Sequence, residues 1–180
     1  MKRLFVDPGS VSGYACYNNG NLCEHGYCNC KVYDKECVDY VKSIIELTKP
    51  EEVYIERQFL PEPKKENGKV TGRTLGIFTL VLNRSVWDVL STLIIGSDAV
   101  KEVNVAKWQS HFGLKVDKSI KSKYSRKKKL KQDMICKVKE LFGIEVCENE
   151  ADAVLIGKYI TDKESSDVTG PDSTNSGKGS

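Results

Sequence analysis

Two short, fully apolar segments of this chain end directly in an acidic residue. Asp7 follows the apolar run 4–6, and Glu56 follows the apolar run 53–55. Short apolar runs of this kind are typical of strands buried on both faces of a sheet, so both carboxyl groups are expected where buried strands end. A third acid, Asp152, lies in the first turn of an otherwise apolar helical segment. A buried carboxylate without a partner is costly, so the fold must supply something that balances these charges.

The combination of Asp7, Glu56 and Asp152 predicts a divalent-cation site. Converging carboxylates repel one another unless a cation lies between them, and clusters of oxygen ligands suit Mg²⁺ or Mn²⁺. Two such ions about 3.5–4 Å apart can activate water and stabilise the leaving oxygen in phosphodiester cleavage. Each acid alone has a simpler explanation, because Asp7 can begin a turn, Glu56 can form a surface ion pair and Asp152 can interact with a helix dipole. Their shared position at the ends of apolar elements favours the metal site.

The order of the predicted elements indicates an α/β fold with a mixed sheet. Three strands joined by tight turns form an antiparallel meander, because Asn and Gly at 18–21 tolerate the positive φ of a hairpin turn. A helix over about 34–47 precedes the next strand, and a helix between two strands is the signal of a parallel crossover. We therefore expect a five-stranded sheet flanked by helices. The expected strands are 4–6, 13–17, 22–30, 53–56 and 100–103, and the later helices cover about 74–93, 105–112, the second half of 115–139 and 150–160.

One domain fits the length of 180 residues, which is too short for two domains of ordinary size. We expect the folded domain to span 1–162 and the Ser-, Gly- and Asp-rich segment 163–180 to be a disordered tail. No stretch reaches the ~18 uninterrupted apolar residues of a membrane-spanning helix. The apolar run near the start is too short for a secretory signal. These features predict no membrane association and an intracellular, reducing compartment, either the cytoplasm or an organelle or host cell.

Seven cysteines are expected to be reduced thiols in such a compartment. Cys23, Cys28 and Cys30 lie close together in the sequence, which raises the question of a zinc site. Their spacing lacks the paired C-x₂-C knuckles of structural zinc sites. We therefore expect thiols on a strand and disfavour zinc.

Positive charge is concentrated in residues 115–139, which carry 11 Lys or Arg residues and two Asp, a net charge of +9. The whole chain has a net charge of only +3, so the remainder is acidic. Most charge runs are solvated helix faces, but Lys and Arg beside an acidic centre also bind phosphates in a sequence-independent, salt-sensitive way. We expect DNA contacts here and around the polar loop 57–72. The candidate DNA-binding residues are Lys64, Lys65, Arg73, Lys121, Lys123, Arg126, Lys127 and Lys129.

Three segments resemble motifs of the RuvC-type Holliday junction resolvases, a branch of the ribonuclease H-like superfamily. The first is LFVDPGS at 4–10 followed by SGY at 12–14, the second is YIERQF at 54–59, and the third is EADAVLIG at 150–157. The order and spacing of the motifs agree with the family over about residues 3–160. Between the motifs, the chain is similar to the family only in its pattern of elements.

The resemblance implies a ribonuclease H-like fold and a homodimer that packs through its long helices, with two active sites facing one four-way DNA junction. It implies Mg²⁺-dependent nicking of two strands of like polarity, with Mn²⁺ able to substitute, in DNA recombination and repair. Asp7, Glu56 and Asp152 would then carry the metal ions.

Two further residues take roles only through the resemblance. Phe59 stands where the family has an aromatic residue that probes the junction centre, with packing inside its own loop as the alternative. Lys128, six residues before Met134, stands at the place of the family's active-site lysine. Because Lys127 and Lys129 are adjacent lysines, the alignment that assigns this role to Lys128 stays open.

Two positions depart from the family. Asn149 replaces the usual Asp or His three residues before Asp152. Asn149 can still cap the helix and bind a metal through its neutral carbonyl, but it supplies no charge. Glu148, on the same helical face, is a possible substitute, and an inactivating Asp-to-Asn change is the other explanation. Gln109 lies near a position where the family often has a lysine.

The sequence thus predicts a Mg²⁺-dependent, structure-selective endodeoxyribonuclease that resolves four-way junctions. The compact chain suits a phage, viral or organellar resolvase as well as a bacterial one. Two alternatives remain open. One is another ribonuclease H-like nuclease that acts on flaps, branched DNA or hybrids. The other is a junction-binding protein without catalysis, because Asn149 breaks the acidic set.

Overall fold

A five-stranded mixed sheet lies at the centre of the computed structural model, which describes residues 1–28, 35–57, 65–66, 69–70 and 73–168. The five strands of this sheet are β1 (Lys2–Asp7), β2 (Ser12–Asn18), β3 (Asn21–Cys28), β4 (Glu52–Glu56) and β7 (Val100–Val103). Two short strands, β5 (Lys65–Glu66) and β6 (Lys69–Val70), pair separately with each other. The helices are α1 (Lys35–Thr48), α2 (Arg73–Ile95), α3 (Val105–His111), α4 (Lys123–Phe142) and α5 (Glu148–Val168), with a 3₁₀ turn at Ser97–Ala99.

The order of the strands in the sheet is β3-β2-β1-β4-β7. β2 pairs antiparallel with β1 and β3, whereas β4 pairs parallel with β1 and β7. This confirms the predicted antiparallel meander followed by parallel strands. The small β5–β6 hairpin falls in the segment that we expected to be a polar loop.

The parallel pairing of β1 with β4 brings two acidic residues to the same edge of the sheet. Val6 is the partner of Ile55 in the register, so Asp7 and Glu56 are the next residues on adjacent strands. Side chains that follow parallel strands at their carboxyl ends meet at one edge, where open α/β sheets place their binding sites.

Helices cover both faces of the sheet. α3, α4 and α5 surround one core, which contains Phe5, Tyr17 and Trp108. α1 and α2 cover the other core, which contains Leu4 and Val6. Successive strand residues point to opposite faces, so every position of the apolar run in β1 is buried. This explains why the segment shows no polar alternation in the sequence.

α5 packs very closely on the sheet at two glycines. A Cβ atom on Gly157 would lie 2.3 Å from the ring of Tyr17, and one on Gly13 would lie 1.8 Å from the backbone oxygen of Asn149. The Tyr17 hydroxyl also donates a 2.8 Å hydrogen bond to the backbone oxygen of Val154. Because glycine has no side chain, the first turn of α5 can pack directly on β2, next to the end of β1.

The last helix is longer than the sequence predicts. α5 continues to Val168, beyond the expected helix end near 160 and the expected start of the tail at 163. Arg3 Nη1 donates a 2.5 Å hydrogen bond to Glu164, so a contact with β1 holds a stretch of helix that is polar in sequence. Residues 169–180 lie outside the described residues.

Within the described ranges, none of the helices combines the length and hydropathy that crossing a bilayer requires. Of the three cysteines considered for zinc, Cys30 lies outside the described residues, and Cys23 and Cys28 lie on β3 as expected.

Candidate active site

The three acidic residues from the start, middle and end of the chain meet at one place. Asp7, Glu56 and Asp152 are 8%, 7% and 5% exposed. The three carboxyl groups interact electrostatically with one another. Asp7 and Glu56 end β1 and β4, and Asp152 lies in the first turn of α5.

Burial and mutual repulsion change the protonation of these groups. Burial, reinforced by the charge of Glu56, raises the pKa of Asp7 to about 7. Burial and the charge of Asp7 likewise raise the pKa of Asp152 to about 7. The pKa of Glu56 is also raised, first by burial and then by Asp152. Carboxyl groups with pKa values near neutrality are a common feature of functional sites.

Glu56 is held in place by a neighbouring indole. The Nε1 atom of the fully buried Trp108, in α3, donates a 2.9 Å hydrogen bond to Glu56 Oε1. This contact favours the ionised form of Glu56 and opposes the rise in its pKa. A buried donor on a rigid ring therefore fixes one carboxylate of the cluster.

Lys131 is the site residue that the sequence analysis missed. Its ammonium group binds Asp152 Oδ2, and its side chain is only 18% exposed. Burial lowers the pKa of Lys131, but the attraction of Asp152, Asp7 and Glu56 outweighs this and raises it overall. Lys131 therefore supplies a positive charge to the cluster.

The structure places Lys128, which we expected to be the active-site lysine, one helical turn away from this contact. Lys128 is exposed and lines a cleft beside the site, while Lys131 reaches Asp152. The sequence feature that could have identified Lys131 is its spacing from Met134 and Val138, which are buried on the same face of α4. A lysine at a buried position of an amphipathic helix indicates a charged partner inside the fold.

The first turn of α5 is anchored by Glu150. Its carboxylate accepts a 2.8 Å hydrogen bond from the backbone N–H of Cys147 and lies 2.9 Å from His25 Nδ1 on β3. Burial opposes ionisation, but the Cys147 N–H and His25 outweigh it and lower the pKa of Glu150. No role was expected for His25, because its partner is distant in sequence.

Asn149 lies in the first turn of α5, three residues before Asp152 and therefore on the same helical side. Its backbone rests on Gly13, and it is partly exposed. Glu148 is exposed and lines the same cleft as Lys128. The predicted acidic set therefore has three buried carboxylates, and the neutral Asn149 lies three positions before Asp152 on the same helix.

The predicted DNA-binding residues are placed unevenly. Phe59 and Lys64 lie outside the described residues, and for Lys65 and Arg73 only the backbone, in β5 and at the start of α2, is described. Arg126 bonds the backbone oxygens of Ile120 and Lys121, and Lys129 forms a 2.5 Å ion pair with Asp133. The exposed members are Lys121, just before α4, and Lys123, Lys127 and Lys129 within it.

The donor chemistry of the cluster fits a hard divalent cation. All the acidic groups offer oxygen ligands, and the buried Asp152 Oδ1 receives no hydrogen bond from any donor in the described ranges. Those same ranges contain no group of three or more His, Cys, Asp or Glu side chains already set around one point at ligand distances. A cation that used Asp152 would compete with Lys131 for its oxygens.

The fold resembles that of solved Holliday junction resolvases. T. thermophilus RuvC in complex with a Holliday junction substrate matches with a TM-score of 0.60 and 13% sequence identity, over 92% of this chain and 96% of the RuvC chain. A second Thermus thermophilus RuvC structure gives a TM-score of 0.56 and 14% identity, over 92% and 97%. Fowlpox virus resolvase with its substrate Holliday junction DNA gives 0.48 and 16%, over 91% and 99%. No protein-family model and no curated protein sequence matches the chain.

The similarity to RuvC confirms the fold expected from the sequence motifs, a RuvC-like ribonuclease H fold. At 13–14% identity it establishes the fold alone.

The raised pKa values predict how pH affects the stability of the protein without divalent cations. The pKa of Asp7 is about 7 in the fold, against 3.8 for the unperturbed group, so its stabilising protonated form is lost as pH rises through 7. Asp7→Asn removes this charge, and we expect it to raise the free energy of unfolding at pH 8 by on the order of 2 kcal/mol. At pH 4 the gain should be much smaller.

Thermal unfolding in EDTA at the two pH values measures this difference, with Asp167→Asn, an exposed change, as the control. A variant that is no more stable than the wild type at pH 8 would contradict the pKa assignment.

The position of Lys131 predicts a contrast with Lys128. Lys131→Met removes the ammonium group that pairs with the carboxylates, and we expect the free energy of unfolding at pH 8 to fall by about 3 kcal/mol. Lys128→Met changes an exposed residue and should alter it by less than about 0.5 kcal/mol. Urea denaturation in EDTA compares the two, and equal effects would show that Lys131 does not balance the cluster.

Proposed function

We propose that the protein is a structure-selective endonuclease that resolves four-way DNA junctions by metal-dependent phosphodiester hydrolysis. The observation that carries the proposal is the meeting of Asp7, Glu56 and Asp152, with raised pKa values, at the carboxyl edge of a RuvC-like sheet. The related RuvC fold was solved with a Holliday junction substrate. Buried acids that repel each other have no role in stabilising this edge, which favours a functional explanation.

Mg²⁺, with Mn²⁺ as a substitute, is the proposed cofactor, held by Asp7, Glu56 and Asp152 with Asn149 as a neutral ligand. Ions bound there would activate the attacking water and stabilise the leaving oxygen. The other residues position these ligands. Trp108 orients Glu56, and Lys131 balances the charge of the cluster.

The basic start of α4 is the proposed DNA interface. Lys121, Lys123 and Lys127 are exposed, and Lys127 lines a cleft together with Lys131, which binds Asp152. Arg126 and Lys129 add charge to the same segment. Such contacts bind phosphates without reading sequence, which suits an enzyme that recognises branch shape. Phe59, Lys64, Lys65 and Arg73 remain proposed DNA contacts, and Lys128 remains the proposed active-site lysine.

A homodimer through α2 is part of the proposal. Val89 and Leu93, four residues apart, are 54% and 75% exposed, and Ile94 beside them is 38% exposed. An exposed apolar stripe on a long helix is typical of a subunit interface. Two copies would present two active sites, as paired nicks in one junction require.

A second candidate function is junction binding without catalysis. Asn149 favours it, because its side chain adds no negative charge to the three buried carboxylates. Cleavage on other branched DNA or on hybrids by the same site is the remaining alternative. A comparison of substrates and metals separates these possibilities.

The proposed activity predicts symmetric, paired nicks in a four-way junction in the presence of Mg²⁺, and slower cleavage of a flap and of an RNA–DNA hybrid. Asp7→Asn should lower the rate by at least about 100-fold, because a ligand of the reacting centre is lost. Gel analysis of end-labelled strands measures both results. Tight junction binding with no nicking in Mg²⁺ or Mn²⁺ would favour the catalytically silent alternative.

The role proposed for Asn149 predicts that Asn149→Asp increases the cleavage rate, since a fourth carboxylate strengthens metal binding. The same junction assay measures it over a range of Mg²⁺ concentrations. An unchanged or lower rate at every concentration would count against a role of this position in metal binding.

The proposed dimer predicts that Leu93→Glu yields monomers, because a charge on the apolar stripe cannot be buried against a second copy. Sedimentation equilibrium measures the state, with Val116→Glu, an exposed apolar residue between α3 and α4, as the control. A wild-type protein that is monomeric at assay concentrations, or a dimeric Leu93→Glu variant, would contradict the interface.

A further inference from the structure

A cleft beside the carboxylate cluster combines lysines with an aromatic and an acidic residue. It encloses about 250 Å³ and is lined by Tyr124, Lys127, Lys128, Lys131 and Glu148. Four of these residues belong to α4 and the fifth begins α5. The cleft therefore lies between the basic helix and the helix that carries Asp152.

The four residues from α4 form one continuous stripe. Tyr124, Lys127, Lys128 and Lys131 are spaced at i, i+3, i+4 and i+7, so they share one side of the helix. The stripe ends at Lys131, whose ammonium group binds Asp152. From Tyr124 to Lys131 it runs about 10 Å along the helix axis. A ligand in the cleft would thus extend away from the reacting centre.

Tyr124 has no place in the core of the protein. Its side chain is 78% exposed, although Val138, which shares its side of α4 further along the helix, is buried. An exposed aromatic ring among lysines is a suitable stacking surface for a nucleic acid base. Glu148, on the opposite wall, makes the cleft unsuitable for a bare anion but can accept a hydrogen bond from a base amino group.

We infer that this cleft binds a single nucleotide next to the cut phosphate, with its base stacked on Tyr124 and its phosphate held by Lys127 and Lys128. The inference rests on the proposed function and names a specific subsite for it. Tyr124 is a substrate-contacting residue in this arrangement, and the base must be unstacked from its neighbour to reach the ring. Unstacking is least costly at a branch point.

The test is a comparison between removal of the ring and removal of the base. Four-way junctions carry single abasic sites at the two nucleotides on each side of the mapped cut, and binding is measured by fluorescence anisotropy in EDTA. On intact DNA, Tyr124→Ala should weaken binding by about 5- to 100-fold, as loss of base–aromatic stacking does. Tyr124→Phe should bind like the wild type. Tyr40→Ala, a change of an exposed tyrosine on α1, is the matched control.

At one abasic position, the effect of Tyr124→Ala should disappear, because the ring then has no base to contact. An effect that persists at all four abasic positions, or no effect on intact DNA, would overturn the subsite. Lys127→Gln and Lys128→Gln should each reduce the slope of log K against log salt concentration by about 0.7 to 0.9. An unchanged slope in both variants would contradict the phosphate contacts assigned to Lys127 and Lys128.

The outcomes also separate this inference from the proposed function. Junction cleavage by the wild type with no effect of Tyr124→Ala leaves the nuclease proposal standing and the subsite overturned. A wild-type protein that neither binds nor nicks a junction would overturn both.

Discussion

Electrostatic repulsion among three buried carboxyl groups is the main constraint on this structure. Asp7, Glu56 and Asp152 repel one another in a region with little water, and burial raises the pKa of each. The fold relieves the repulsion in part by proton uptake and in part by Lys131. Divalent cations would relieve it more fully, because they supply the charge that the chain lacks. The repulsion within the metal-free site would then favour metal binding.

The surrounding fold holds the three carboxyl groups in place. The parallel register of β1 and β4 sets Asp7 beside Glu56. The close approach of α5 to Gly13, together with the contacts of Glu150 to Cys147 and His25, fixes the helix turn that carries Asp152. Two hydrophobic cores on opposite faces of the sheet stabilise these elements. Rigid supports of this kind allow a protein to retain a locally unfavourable site.

Much of this arrangement could be predicted from the sequence, because it depends on local patterns. Apolar runs that stop at Asp7 and Glu56 indicate buried strands with acids at their ends, and a helix between strands indicates the parallel pairing that brings the two together. The mixed sheet and the meeting of the three acids followed from these signals.

Other features depend on contacts between residues far apart in the chain, which no local pattern records. The lysine-rich segment offers several equivalent registers, so the sequence pointed to Lys128 as the active-site lysine and gave no indication that Lys131 contacts Asp152. The extension of α5 to Val168 is accompanied by a hydrogen bond from Arg3, at the other end of the chain, to Glu164. The role of His25 depends on Glu150, which is 125 residues away.

The most direct test of the central claim is the binding of Mn²⁺ to the isolated protein by isothermal titration calorimetry at pH 6.5. Carboxyl groups with pKa values near 7 are largely protonated there, so binding should release protons, and the measured heat should depend on the ionisation enthalpy of the buffer. Asp152→Asn should weaken binding at least about tenfold. Absence of Mn²⁺ binding, or equal binding with no proton release in both proteins, would contradict a metal site built from these three acids.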